Sequence, residues 1–121
     1  MKALIRSVGL ALSGIRHSIA TQRHMQIHCI AAFLVFIAGM MLSLNALEWA
    51  LIAMAVGMVI SAEVMNTAVE NAVDLACPER HPLAKIAKDC AAGAVLICAI
   101  AAVIIGLLVM GPPLWQLLTG S

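Results

Sequence analysis

Residues Lys2 to about Ala20 place apolar and polar side chains on opposite faces of a helix. The apolar positions recur at helical spacing; they are Leu4, Ile5, Val8, Leu12, Ile15 and Ile19, with Lys2, Arg6, Ser13 and Arg16 on the other face. A helix with a basic face and an apolar back lies stably in a membrane interface. The pattern therefore predicts an N-terminal interfacial amphipathic helix, which can also pack on a helix bundle.

Three longer apolar runs follow, and they predict transmembrane helices at about 27–44, 47–76 and 83–110. The 18 residues of Ile27–Leu44 carry no formal charge. They give roughly 27 Å of helix, close to the thickness of the bilayer core. Ala91–Met110 has 20 uncharged residues, or roughly 30 Å of helix. The run Gly111-Pro112-Pro113 is expected to end the third helix.

Composition supports a membrane protein. Of the 121 residues, 64% are hydrophobic and 11% are charged, whereas soluble domains are about 45–50% apolar. The formal net charge of +1 and the 3% content of aromatic residues argue against a nucleic-acid partner. The sequence predicts a single all-α integral membrane domain over residues 1–121.

All basic residues fall on one side of the predicted spans. They precede the first span or lie between the second and third, at Lys2, Arg6, Arg16, Arg23, Arg80, Lys85 and Lys88. The connection between the first two spans and the C-terminal tail contain neither Lys nor Arg. Because positive charge is retained on the cytoplasmic side, the N-terminus is expected inside and the C-terminus outside.

Small residues recur at every fourth position of two predicted spans. They are Ala53, Gly57 and Ser61 on the second, and Cys90, Ala94, Cys98, Ala102 and Gly106 on the third. Such rows allow close helix approach in lipid, although alanine-rich helices also produce them by chance. We interpret them as an indication of a homo-oligomer.

The second span carries polar residues on one helical face. Glu63, Asn66, Glu70 and Asp74 are spaced i, i+3, i+7 and i+11. If Trp49 marks the outer interface, Glu63 lies roughly 21 Å inward and Glu70 roughly 31 Å. An ionisable group as deep as Glu63 costs about 3 kcal/mol on insertion scales. The depth favours a functional site; the alternative is a hydrogen-bond network that fixes oligomer packing.

The residue types on this face match the needs of phosphoryl transfer. The shallower carboxylates suit Mg²⁺, which prefers oxygen ligands and brings nucleotide phosphates with it. Lys88 and Asp89 precede the apolar part of the third helix at the level of Glu70, where a lysine can balance phosphate charge. Glu63 lies where the polar end of a lipid could reach it. The P-loop and GxGxxG motifs of soluble nucleotide sites are missing.

The segment Glu63-Val-Met-Asn66-Thr-Ala-Val-Glu70-Asn-Ala-Val-Asp74 closely resembles the prokaryotic diacylglycerol kinase family. The signature of that family has the form E-x-x-N-[ST]-A-x-E-x-x-x-D, and an A-K-D motif follows, here Ala87-Lys88-Asp89. The similarity covers essentially the whole chain, including Gly14-Ile-Arg-His and Gln26-Ile-His28. The stretch from His81 to Asp89 is more similar to the undecaprenol kinase branch.

The resemblance implies a homotrimer of three-helix protomers in the bacterial inner (cytoplasmic) membrane, with active sites between protomers. It implies ATP with Mg²⁺ as phosphoryl donor and a lipid alcohol, undecaprenol or diacylglycerol, as acceptor. Glu63 resembles the catalytic base or hydroxyl-positioning residue, and Glu70 a metal ligand. The nucleotide contacts implied are Asn66, Lys88, Asp89 and Glu70, with Asp74 and Arg16 in supporting roles.

Three positions depart from the family pattern, and Gln22 matters most. Gln22 stands where members often carry a glutamate thought to be the second metal ligand, and His24 and Gln26 replace the commoner Asn and Arg. A glutamine carbonyl can ligate Mg²⁺, but without charge. We therefore expect Gln22 to be a metal and nucleotide contact of altered strength.

Two other classes remain open at this point. A small channel or proton-relay protein also carries intramembrane carboxylates, but it would need polar residues through the full membrane thickness. Between Ala50 and Ala62 only Ser61 is polar. A purely structural membrane subunit would tolerate apolar residues at Glu63 and Asn66.

Overall fold

The computed structural model describes all 121 residues and consists of four helices. They are α1 (Lys2–Thr21), α2 (Arg23–Met41), α3 (Ala46–Ala76) and α4 (Pro82–Thr119). Helices α2, α3 and α4 are long and apolar enough to cross a membrane. The prediction of an all-α fold with three candidate membrane spans is therefore confirmed.

A single residue separates α1 from α2. Gln22 is extended, with φ −110° and ψ 116°, and it ends one helix and begins the next. The Gln26 side chain donates from Nε2 to the Ile19 carbonyl at 3.0 Å, across this corner. Met25 is fully buried just inside it. These contacts hold α1 against the membrane helices.

The connection between α2 and α3 is tight and capped. Ser43 adopts a left-handed conformation with φ 53°, and Asn45 then caps α3. The Asn45 side chain accepts from the Glu48 backbone N–H, and the Glu48 carboxylate accepts from the Asn45 N–H, which is a capping box. A Cβ at Gly39 would lie 2.6 Å from the Trp49 ring. Gly39 is thus required for the close approach of Trp49 to α2.

Helix α4 is longer than its apolar pattern predicts. It begins at Pro82, where His81 Nδ1 accepts from the Leu83 N–H at 3.1 Å, and ends at Thr119, which is followed by the C-cap Gly120 with φ 68°. The expected end at Gly111-Pro112-Pro113 is wrong, because α4 passes through both prolines. The fixed φ of proline suits a helix, and Gly111 lacks the Cβ that a following proline ring would crowd. Transmembrane helices also tolerate proline because neighbouring helices and local backbone adjustments satisfy the carbonyl groups that proline frees.

The four helices form a thin assembly with little interior. Helices α3 and α4 make the most extensive contact, around a core of Leu44, Ile52 and Val109. Only 10 of the 121 residues are buried, so one chain cannot cover its own apolar surface. Lipid or further protein must contact the rest. The small-residue row of α3 (Ala53, Gly57 and Ser61) lies on this exposed surface.

A buried hydroxyl pair ties α1 to α3. Ser18 is fully buried, Thr67 is 3% exposed, and their hydroxyl oxygens lie 2.8 Å apart. Thr67 donates its single proton to the Glu63 carbonyl at 2.9 Å. The Ser18 hydroxyl must then donate to Thr67, since each hydroxyl has one proton to give. The position of α1 is thereby linked to the turn of α3 that carries Glu63.

We expect Thr67→Val to destabilise the fold by about 1–3 kcal/mol, because it leaves the Ser18 hydroxyl buried and unpaired. Ser18→Ala combined with Thr67→Val should cost less than the sum of the two single variants. Reversible unfolding in mixed detergent micelles measures the three free energies of unfolding. Ser7→Ala, which removes an exposed hydroxyl of α1, is the control. Additive losses within about 0.5 kcal/mol would show that the two hydroxyls do not interact.

Candidate functional site

Glu63 is the most deeply buried ionisable residue of the site. It is 2% exposed and faces α2, where His28 Nε2 lies 3.2 Å from its Oε1. The His28 side chain is 25% exposed, against 3% for that of Glu63. Burial of an unpaired carboxylate would be costly. A polar partner on the neighbouring helix lowers this cost.

An apolar groove of about 410 Å³ runs between α2, α3 and α4 from His28. Its walls are formed by small and aliphatic residues such as Ala31, Val59, Ala102 and Gly106, and His28 is the one polar residue among them. A groove with such walls offers no hydrogen bonds along its length and accepts hydrocarbon. His28 is therefore the one ionisable side chain that lines the apolar groove.

Asn66 and Glu70 form a second polar pair, one helical turn apart on α3. Asn66 Nδ2 donates to Glu70 Oε1 at 3.3 Å, which leaves the Asn66 Oδ1 atom buried without a partner. Buried carbonyl oxygens normally have a partner, so this atom is free to accept one from a ligand. Mg²⁺ typically binds through one or two carboxylates plus substrate phosphates. The Glu70 carboxylate and the Asn66 carbonyl oxygen fit that demand.

Charged residues of α4 meet the end of α3. Lys88 forms an ion pair with Asp74, and Lys85 forms one with Asp89 on its own helix. All four line a cavity of about 680 Å³ beside the α3–α4 connection, together with Arg80 and His81. The cavity is open, and its charged lining is balanced, because Glu79 joins the two aspartates against the three basic residues.

The predicted site residues fall into three groups. Glu63, Asn66, Glu70 and Asp74 lie on the unbroken helix α3, and Lys88 is brought to their face by its ion pair with Asp74. Asp89 is turned towards Lys85. The Gln22 side chain donates a hydrogen bond to the Thr21 hydroxyl at 3.5 Å, and Arg16 is exposed. No group of three or more His, Cys, Asp or Glu side chains comes together as a metal cluster.

Sequence reasoning missed the cross-helix partners of Glu63. His28 is part of a motif to which the sequence assigns no role, and nothing in the sequence pairs Ser18 with Thr67. Two signals were available: His28 is a polar residue near the start of an apolar span, and Thr67 lies four residues after Glu63. Neither signal specifies the partner, because contacts between helices depend on their rotation and depth.

The sequence is similar to known proteins over most of its length. The sequence profile of the family described as prokaryotic diacylglycerol kinase matches residues 9–110. An undecaprenol kinase of Bacillus subtilis is 46% identical over 101 residues, which cover 84% of this chain and 82% of that protein. A diacylglycerol kinase of Synechocystis is 45% identical over 116 residues, which cover 95% of this chain and 66% of that protein. A diacylglycerol kinase of Escherichia coli is 31% identical over 101 residues, or 84% of this chain and 83% of that protein.

Proposed function

The chain belongs to the prokaryotic diacylglycerol kinase family and is a membrane lipid kinase, and we propose that it transfers the terminal phosphoryl group of ATP to the hydroxyl of a membrane lipid alcohol. The observation that carries this proposal is the contact of the buried Glu63 carboxylate with His28, which lines an apolar groove. A lipid chain in the groove would bring its hydroxyl to a carboxylate, as transfer to an alcohol requires.

Glu63 is the proposed catalytic residue, which accepts the proton of the attacking hydroxyl or positions it. A carboxylate in an apolar, water-poor site suits this work, because ordering of the hydroxyl supplies much of the rate enhancement in phosphoryl transfer. Glu70 lies seven residues further along α3, or roughly 10 Å. That distance leaves room for a phosphoryl group between the lipid hydroxyl and the nucleotide.

Asn66 and Glu70 are the proposed contacts of the nucleotide and its metal. When bound, Mg²⁺ would neutralise charge on the phosphate oxygens. The unpaired Asn66 Oδ1 atom and the partly buried Glu70 carboxylate supply the oxygen ligands. Gln22, at the α1–α2 corner, is proposed as an uncharged further ligand.

The open cavity beside the α3–α4 connection is the proposed entry for ATP. Lys88 would exchange Asp74 for a phosphate oxygen, and Asp89 would leave Lys85 to contact the nucleotide. Both ion pairs are on exposed side chains, and exposed pairs contribute only about 0–1 kcal/mol. Their exchange for substrate contacts therefore costs little. Arg16, on exposed α1, is proposed to support the nucleotide from the cytoplasmic side.

The acceptor is proposed to be undecaprenol or diacylglycerol, with the segment His81–Asp89 favouring undecaprenol. The two relatives with these printed names are almost equally similar to the chain, at 46% and 45% identity. The groove is lined by small residues over much of its length. It therefore fits an extended, branched hydrocarbon as well as a fatty acyl chain.

The working form is proposed to be a homotrimer in the bacterial inner membrane, with the N-terminus and the site on the cytoplasmic side. The scarcity of buried residues and the exposed small-residue row of α3 support assembly with further copies. The one-sided distribution of Lys and Arg supports the orientation. Helix α1, whose apolar residues are largely exposed, is proposed to lie in the membrane interface.

Glu63→Gln is expected to abolish phosphorylation of the lipid alcohol while the oligomer still forms. The amide keeps the volume of the carboxylate but cannot accept the proton. Transfer of labelled phosphate from ATP into extracted lipid measures activity, and size-exclusion chromatography in detergent measures assembly. Glu48→Gln on the same helix is the matched control, because glutamine also completes a capping box. Full activity of Glu63→Gln would refute the assigned role.

Glu70→Ala is expected to raise the Mg²⁺ concentration needed for half-maximal activity by about tenfold or more, because loss even of a residue that only supports a metal ligand lowers metal affinity by about 10–100-fold. Gln22→Glu should shift the requirement in the opposite direction, because it adds the negative charge that the glutamine side chain lacks. Mg²⁺ titrations at fixed ATP and lipid measure both shifts. An unchanged requirement in Glu70→Ala would remove Glu70 from metal binding.

A further inference from the structure

The proposed catalytic carboxylate is less accessible than the histidine beside it. The Glu63 side chain is 3% exposed, and that of His28 is 25% exposed. His28 lines the apolar groove, whereas Glu63 does not. A hydroxyl that arrives at the end of a chain lying in the groove therefore meets the imidazole first. The carboxylate lies behind it.

The carboxylate also determines which imidazole nitrogen carries the proton. An ionised carboxylate only accepts hydrogen bonds, and the nitrogen that faces it, at 3.2 Å, is His28 Nε2. In a neutral imidazole one nitrogen is a donor and the other an acceptor. The contact with Glu63 therefore favours the tautomer with its proton on Nε2. His28 Nδ1 is left as a proton acceptor.

No other ionisable group competes for this position. The remaining lining residues of the groove are aliphatic or glycine. The other polar neighbours of this turn of α3, Thr67 and Ser18, are hydroxyls that donate to the Glu63 carbonyl and to Thr67. Both protons are thus used in the hydrogen bonds that link Ser18 of α1 to Thr67 and Thr67 to the Glu63 carbonyl.

We propose that His28 is a catalytic residue that relays the proton of the lipid hydroxyl to Glu63. The hydroxyl oxygen forms its bond to the transferred phosphorus, and the bond from that phosphorus to the bridging oxygen of ADP breaks. The hydroxyl proton passes to His28 Nδ1, and the Nε2 proton passes to Glu63 Oε1. No oxidant or further reactant is needed: once the product leaves, Glu63 returns its proton to Nε2 and Nδ1 releases its proton to water, which restores the starting state of both groups. This relay rests on the proposed lipid kinase function.

Two variants of His28 separate a relay from a merely structural contact. His28→Gln keeps an amide donor that can face Glu63, but an amide cannot pass a proton on. His28→Ala leaves a space the size of an imidazole, which added imidazole can enter. Cys29→Ala, at the next position of α2, is the control for loss of side-chain volume. Circular dichroism and size-exclusion chromatography in detergent establish that each variant folds and assembles.

We expect kcat to fall by about 10²-fold or more in both His28→Gln and His28→Ala, the usual contribution of a general base. The KM for ATP should change by no more than about twofold, because the nucleotide contacts are untouched. Added imidazole should restore part of the activity of His28→Ala and none of that of His28→Gln. Cys29→Ala should retain wild-type activity.

The relay is overturned if His28→Gln keeps near-wild-type kcat, since a donor alone would then suffice. It is also overturned if both variants lose activity and imidazole restores neither, because the loss then reflects packing. In either case an inactive Glu63→Gln leaves the proposed lipid kinase site standing with Glu63 in direct contact with the hydroxyl. A fully active Glu63→Gln removes the site and the relay together.

Discussion

Placing a carboxylate inside an apolar helix bundle is the constraint on which the arrangement of this protein depends. An intramembrane charge costs about 3 kcal/mol or more on insertion scales, and Glu63 is 2% exposed within a chain that buries few residues at all. Two neighbouring helices contribute polar groups at this turn of α3. His28 of α2 faces the carboxylate, and Ser18 of α1 bonds Thr67 beside it. The single-residue corner at Gln22 sets α1 and α2 where both contacts form.

The same constraint separates the two substrates. On the N-terminal side of Glu63, α3 lines an apolar groove. On its C-terminal side, α3 continues with Asn66, Glu70 and Asp74 towards an open, charged cavity. The groove disfavours a nucleotide because it offers no partners for phosphate, whereas charged side chains line the cavity. Glu63 lies at the boundary. A lipid hydroxyl and a terminal phosphate can meet there without either substrate leaving the environment that suits it.

Much of this could be predicted from the sequence, because it depends on local pattern. The three spans follow from hydropathy, and the common face of Glu63, Asn66, Glu70 and Asp74 follows from helical periodicity alone. The end of α4 could not be predicted from Pro112 and Pro113, since proline ends a helix in water more strictly than in lipid. The contact of His28 with Glu63 depends on how α2 and α3 rotate against each other. The spacing of residues in one sequence shows which residues share a helical face, but not how two helices rotate against each other. The pairing of Lys88 with Asp74 could not be predicted for the same reason.

The most direct measurement is phosphoryl transfer by the purified, detergent-solubilised protein with labelled ATP and Mg²⁺, offered undecaprenol and diacylglycerol in parallel micelles. Lipid extraction followed by chromatography identifies which acceptor carries the label. We expect a labelled lipid phosphate whose formation requires both the acceptor and ATP, with undecaprenol the better acceptor. Labelled phosphate that appears only as free phosphate, with neither lipid modified, would contradict the assignment of Glu63 and its groove to transfer onto a lipid hydroxyl.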